Sequence, residues 1–110
     1  MSPRHFEVLW AEVAVRDLEQ TVDFVEKDRP MAAQRLFDSI AESARTLESM
    51  PLRGRVVPEL AKFDIAIYRE PIIPPHRLIY RVLTDSVLVV GVFDSKRNLE
   101  DVLLSRFLRR

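Results

Sequence analysis

The stretch Arg77-Leu-Ile-Tyr-Arg-Val-Leu-Thr-Asp-Ser-Val-Leu-Val-Val-Gly-Val-Phe93 decides the fold. Its centre, Thr84-Asp85-Ser86, is a polar turn. Arg77 to Leu83 reads as a strand. Val87 to Phe93 is an almost wholly apolar run rich in β-branched residues, the signature of a central strand. A turn this short makes the two strands antiparallel neighbours. Working back toward the N-terminus, Phe63, Ile65 and Ile67 alternate with Asp64, Ala66 and Tyr68, which predicts a third strand before the interruption by Pro71, Pro74 and Pro75.

The period changes further upstream. Ala14, Leu18, Val22 and Val25 recur at helical spacing, and so do Ala33, Leu36, Phe37, Ile40, Ala44, Leu47 and Met50. Pro30 separates the two stripes. Proline is tolerated in a first helical turn, so it opens the second helix, and Pro51 follows its end. So short a link predicts an antiparallel helical hairpin. Phe6, Val8 and Trp10 alternate as a first strand. Leu99, Val102, Leu103 and Phe107 return to helical spacing behind Asn98, a candidate cap. The loop Pro51-Leu-Arg-Gly-Arg-Val-Val-Pro58 joins hairpin to sheet.

The prediction is therefore a single α+β domain over residues 1–110, in the order β-α-α-β-β-β with a short C-terminal helix. The N-terminal strand and the helical hairpin (about residues 12–50) pack on a small antiparallel sheet (meander about 62–93), and a tail helix covers about 98–109. The second-helix stripe and Trp10 read as core or rim. Exposed backbone at the first or the last strand is where a partner would add a strand.

Composition narrows the function. The chain has no cysteine and two histidines, His5 and His76, so disulfides and thiolate metal sites are excluded and no cofactor or metal is expected. The lack of cysteine and of a long apolar stretch near the start fits a cytoplasmic protein that does not enter a membrane. Net charge is zero but uneven. Residues 1–52 carry six Lys/Arg against ten Asp/Glu, and residues 53–110 carry eleven against seven. Fourteen of the seventeen basic residues are arginine, the side chain suited to bidentate contact with carboxylate or phosphate. Arg77 and Arg81 lie four apart and share a strand face. With Arg69 they form a candidate patch for an acidic partner, although pairing with Asp64, Glu70 or Asp85 would explain them equally well.

Several segments together resemble the RelE/ParE toxin superfamily. They are Val8-Leu9-Trp10 with Ala14 and Asp17-Leu18; Arg29-Pro30 with Ala32-Ala33 and Leu36; Leu47, Pro51 and Gly54-Arg55; Arg77-Leu78-Ile79-Tyr80-Arg81-Val82; and Val87 to Val92 followed by Lys96-Arg97-Asn98-Leu99. The resemblance spans nearly the whole chain. It implies the toxin of a type II toxin–antitoxin (plasmid-stabilisation) system, neutralised by a wrapping antitoxin. The RelE-like branch cuts mRNA on the ribosome, whereas the ParE-like branch inhibits DNA gyrase.

Nuclease chemistry needs a proton acceptor, a phosphate stabiliser and a proton donor. Here Asp94 follows the last strand, where many relatives carry histidine, and no tyrosine follows Tyr80. A carboxylate is a poor acid at neutral pH and repels phosphate. The expectation is therefore a non-enzymatic, ParE-like gyrase inhibitor with a ParD-like antitoxin as partner in a hetero-oligomer and no sequence-specific nucleic-acid binding. The alternatives are a RelE-like ribosome-dependent endoribonuclease, using Glu59, Lys62 or His76 as substitute groups, and a non-toxic interaction module. Candidate target- or antitoxin-binding residues are Arg69, Arg77, Arg81, Lys96, Arg97, Leu99, Leu103 and Phe107. No catalytic or metal-binding residue is assigned. The tail is either a helix that docks on the target or one that closes the core.

Overall fold

The computed structural model describes residues 5–95 and 99–108. Strand β1 (Glu7–Trp10) leads into helices α1 (Glu12–Glu26) and α2 (Pro30–Thr46). Then come β2 (Arg55–Val56), α3 (Pro58–Ala61), β3 (Tyr68–Glu70), β4 (Ile72–Ile73), β5 (His76–Val82), β6 (Ser86–Asp94) and α4 (Leu99–Leu108). The α+β class, the helical hairpin, the paired β5–β6 strands and the short terminal helix are as the sequence predicts. Pro30 occupies the first turn of α2, where its missing N–H leaves no bond unmade.

The sheet runs β1-β6-β5-β3-β2, with β4 folded back on β5. β5 and β6 pair antiparallel, while β1 pairs parallel with β6 in the register Glu7↔Ser86 to Trp10↔Val89. β6 is thus interior, which explains its apolar run, and the expectation of an open edge at the last strand is corrected. Of the two expected edges only β1 is one. Tyr80 faces Val89 but Ile79 faces Gly91, so Val90 is the extra residue of a bulge.

One predicted strand is absent. Residues 63–67 are not β; they finish α3. Asp64 takes a left-handed φ of 64°, a conformation aspartate tolerates better than most residues. Its N–H reaches Ala61 O at 2.9 Å and the Ile65 N–H reaches Leu60 O at 3.1 Å. Those two bonds are a Schellman termination, and Leu60 with Ile65 supplies its apolar contact in the core. The alternation Phe63, Ile65, Ile67 comes from this cap, with Phe63 and Ile67 turned outward.

Each sheet face has its own core. Beneath the hairpin, Ala14, Ile40, Ala44 and Leu47 pack on Leu78, Tyr80, Val87, Val89 and Val92, with Trp10 at the rim. Phe37 and Met50, expected on the buried stripe, are exposed at its margins. On the other face Val57, Leu60, Ile79, Val90 and Phe93 pack beneath Leu99 and Leu103 of α4.

Candidate functional site

Two of the quoted motifs bind each other. The Tyr80 hydroxyl donates to Pro51 O at 2.7 Å and accepts the Gly54 N–H at 3.0 Å. A Cβ on Gly54 would lie 2.7 Å from the Tyr80 oxygen and 2.8 Å from the Glu70 backbone carbon, so only glycine fits there. The Gly54 carbonyl accepts from Arg69 Nη1 at 2.9 Å. Burial raises the Tyr80 hydroxyl above its ordinary pKa.

The arginines do not form one patch. Arg69 stands opposite Tyr80 and so projects on the hairpin side, while Tyr68 stands opposite Arg81 on the other face. Arg77, on that other face, is only 7% exposed and is gripped by two carboxylates. Glu59 accepts from its two terminal nitrogens at 2.6 and 2.8 Å, and Glu70, fully buried, accepts two bonds at 2.5 Å. Arg55 adds a bond to Glu70 at 3.0 Å. The cluster joins β2, α3, β3 and β5. Neither Arg69 nor Arg81 meets a carboxylate among the described residues; Arg69 has the Gly54 carbonyl, whereas the Arg81 Nε is enclosed without an acceptor.

The hydrogen bonds from Arg77 hold the Glu59 carboxyl below its ordinary value of 4.5. A depressed carboxylate pKa makes the unfolded chain bind more protons, so its contribution is present above pH ~4.5 and is lost as pH falls through the folded value. Thermal unfolding should therefore be level from neutrality to about pH 5 and drop below that. Glu59→Gln should flatten part of the acid limb in a melting-temperature profile against pH. A limb parallel to the wild type would remove Glu59 from the account.

α4 closes the core and does not protrude. Leu99 and Leu103 are buried, and Phe107 stacks on Tyr68 with ring centroids 4.4 Å apart. Arg106 is held by Asp17 at 2.6 Å and lies 4.8 Å from the Phe93 ring centroid. Asp17 also accepts the Val92 N–H at 3.1 Å. β1 ends opposite Val89, so no strand reaches that donor and α1 supplies the acceptor instead. Asp17 was not among the candidates. Its only signal is a position beside Leu18 at the edge of the buried stripe. Lys96, Arg97 and the expected cap Asn98 lie outside the described residues.

Two of the concavities bear on the candidates. A cleft of about 500 Å³ runs between α1 and the ends of β6 and α4, with Phe24, His76, Asp94 and Arg106 in its walls. His76 begins β5 and is buried. A shallower groove of about 300 Å³ follows the β1 edge, floored by Val8, Trp10, Leu18, Phe37, Ala41 and Ala44. The Glu7 and Ala11 N–H groups bond to β6, at Asp85 O and Val89 O. Parallel pairing therefore turns the Val8 and Trp10 N–H groups to the open edge.

A family model described as the ParE toxin of the type II toxin–antitoxin system parDE matches residues 8–99. The chain belongs to the ParE toxin family. The match runs from β1 to the first residue of α4, so it takes in the hairpin and the strands, and the rest of α4, with the core residue Leu103, lies beyond it. Among solved structures, a chain of the chromosomal ParDE toxin–antitoxin system from P. aeruginosa aligns with a TM-score of 0.69 at 17% identity, covering 82% of this chain and 96% of that one. A chain of the RelBE2 toxin–antitoxin complex from Mycobacterium tuberculosis aligns at 0.60 and 23% identity, covering 84% and 94%. At these identities the two alignments speak for the shared fold. A search of curated protein sequences finds no match.

Proposed function

We propose that this ParE-family toxin acts by binding and not by catalysis, with DNA gyrase as its target and a ParD-like antitoxin as its cytoplasmic neutralising partner. The observation that carries the reading is the pairing of Arg77 with Glu59 and Glu70. A phosphate would have to displace two carboxylates, one of them fully buried, to reach it. Two of the three substitute groups for acid–base chemistry are engaged in ion pairs: Glu59 with Arg77, and Lys62 with Glu100.

The β1 groove supports the antitoxin half of the reading. An apolar floor beside open strand backbone suits a segment that adds a helix or a strand and orders on binding. No helix among the described residues is long and apolar enough to cross a membrane.

The test is a gyrase supercoiling assay with the purified chain, run beside 5′-end mapping of transcripts after expression. Loss of supercoiling activity, a DNA-damage response and relief of both on co-expression of the protein encoded beside it are expected. Codon-periodic cleavage that depends on Arg77 or Asp94 would establish the endoribonuclease instead. Harmless expression of folded chain would favour a non-toxic module.

A further inference from the structure

The sheet face opposite the hairpin is only partly roofed. α4 covers Ile79, Val90 and Phe93, and its Phe107 stacks on Tyr68, so the roof thins from Arg81 toward Leu9. Toward the other end of β5, the Cα partners Tyr68, Arg81, Leu88 and Leu9 form a row across β3, β5, β6 and β1. Partners in register project on the same face, and three strand spacings make the row about 14 Å long. Leu9 is 41% exposed, and Tyr68, Arg81 and Leu88 are half-buried.

Arg81 differs from the other arginines of this face and its margins. Arg55 and Arg77 meet Glu70, and Arg106 meets Asp17. Among the described residues no carboxylate reaches Arg81, and its Nε–H is shut away from solvent without an acceptor. An enclosed donor left unsatisfied is destabilising and calls for a reason. That Nε is out of an outside partner's reach, but the half-buried side chain as a whole also lacks a counter-charge, and an anion arriving from outside would supply it.

The surroundings select the anion. A nucleic acid brings a phosphate at every step and favours a polar surface with several cations. This row has one unopposed cation between leucines and a tyrosine, and Glu7 is exposed two residues from Leu9 on the same face. A lone carboxylate carried among apolar side chains is the better complement.

We infer that this row docks an acidic–apolar segment of a partner protein, its carboxylate on the Arg81 guanidinium and its apolar neighbours on Leu9 and Leu88. The inference deepens the proposed function, resting on the reading that the chain works by binding.

The probe is a short fluorescein-labelled peptide with one glutamate flanked by leucines, with its glutamine twin and a DNA duplex as comparators, all added to the full chain. The glutamate peptide should shift the backbone amide resonances of Leu9, Arg81 and Leu88. It should bind roughly tenfold tighter than the glutamine peptide and outcompete the duplex. Arg81→Met should abolish that tenfold preference while leaving the melting temperature unchanged or higher, since the enclosed donor is gone. Arg81→Gln is the second variant if methionine impairs folding. Absence of binding, shifts confined to other faces, equal affinity for the glutamine peptide, or preference for DNA would overturn the inference. Such a result beside intact gyrase inhibition would remove this docking row and leave the proposed function standing. Loss of gyrase inhibition with normal peptide binding would do the reverse.

Discussion

Arg77→Met should cost about 3–5 kcal/mol of folding stability, because it strands a buried carboxylate without its cation. Glu70 is fully enclosed and accepts from both Arg77 and Arg55. With Arg77 gone, only the half-exposed Arg55 remains beside it. A domain of this size holds about 5–15 kcal/mol in total, so the variant sits near the edge of unfolding. Urea denaturation followed by far-ultraviolet circular dichroism gives the number directly. The double variant Arg77→Met with Glu70→Leu should recover much of the loss, because an apolar pair of similar volume replaces the ion cluster. A single variant as stable as wild type would mean that water reaches Glu70 and the cluster is not a buried one.

Removing α4 should be more damaging than removing any single side chain. Leu99 and Leu103 are buried, and each such leucine contributes roughly 1.5–3 kcal/mol by leaving water. Phe107 adds its stack on Tyr68, and Arg106 its bonds to Asp17. Truncation before Leu99 should therefore cost about 5 kcal/mol or more. It would also uncover Ile79, Val90 and Phe93. The expected result is a dye-binding, aggregation-prone chain, read by 8-anilinonaphthalene-1-sulfonate fluorescence and size-exclusion chromatography. Loss of toxicity on truncation would then report unfolding and not a lost recognition helix. An outward substitution such as Leu108→Ser separates the two, since Leu108 is exposed at the helix end. A monomeric, cooperatively folding truncation would return the tail to the role of an appended docking element.

The elements that could be read from sequence are those whose own periodicity settles their environment. The β5–β6 pair follows from the polar turn Thr84-Asp85-Ser86 and the apolar run after Val87, and the hairpin from two stripes around Pro30. What stayed hidden depends on which residue stands opposite which. The parallel pairing of β1 with β6 joins Val8 to Val87, and nothing local in either segment specifies it. Arg77 looked like an open cation because its partners lie 7 and 18 residues away on other elements. Pairing with Glu70 was one of the explanations the charges allowed, and it is the one the fold adopts. The strand misread at Phe63–Ile67 has a period of two by coincidence, since a left-handed Asp64 reverses the chain there.

The parallel seam between β1 and β6 also bears on how the toxin is made. Glu7 to Trp10 leave the ribosome well before their neighbours Ser86 to Val89, which come nearly eighty residues later. Until then the helical hairpin has no floor beneath it, and the last roof, α4, arrives later still. Such a distant pairing is slow to close and leaves apolar surface open while synthesis continues. The nascent polypeptide therefore passes through a stage in which the hairpin's apolar face is bare and open to capture. A ready-made antitoxin present at that moment would meet its quarry before the weapon is assembled.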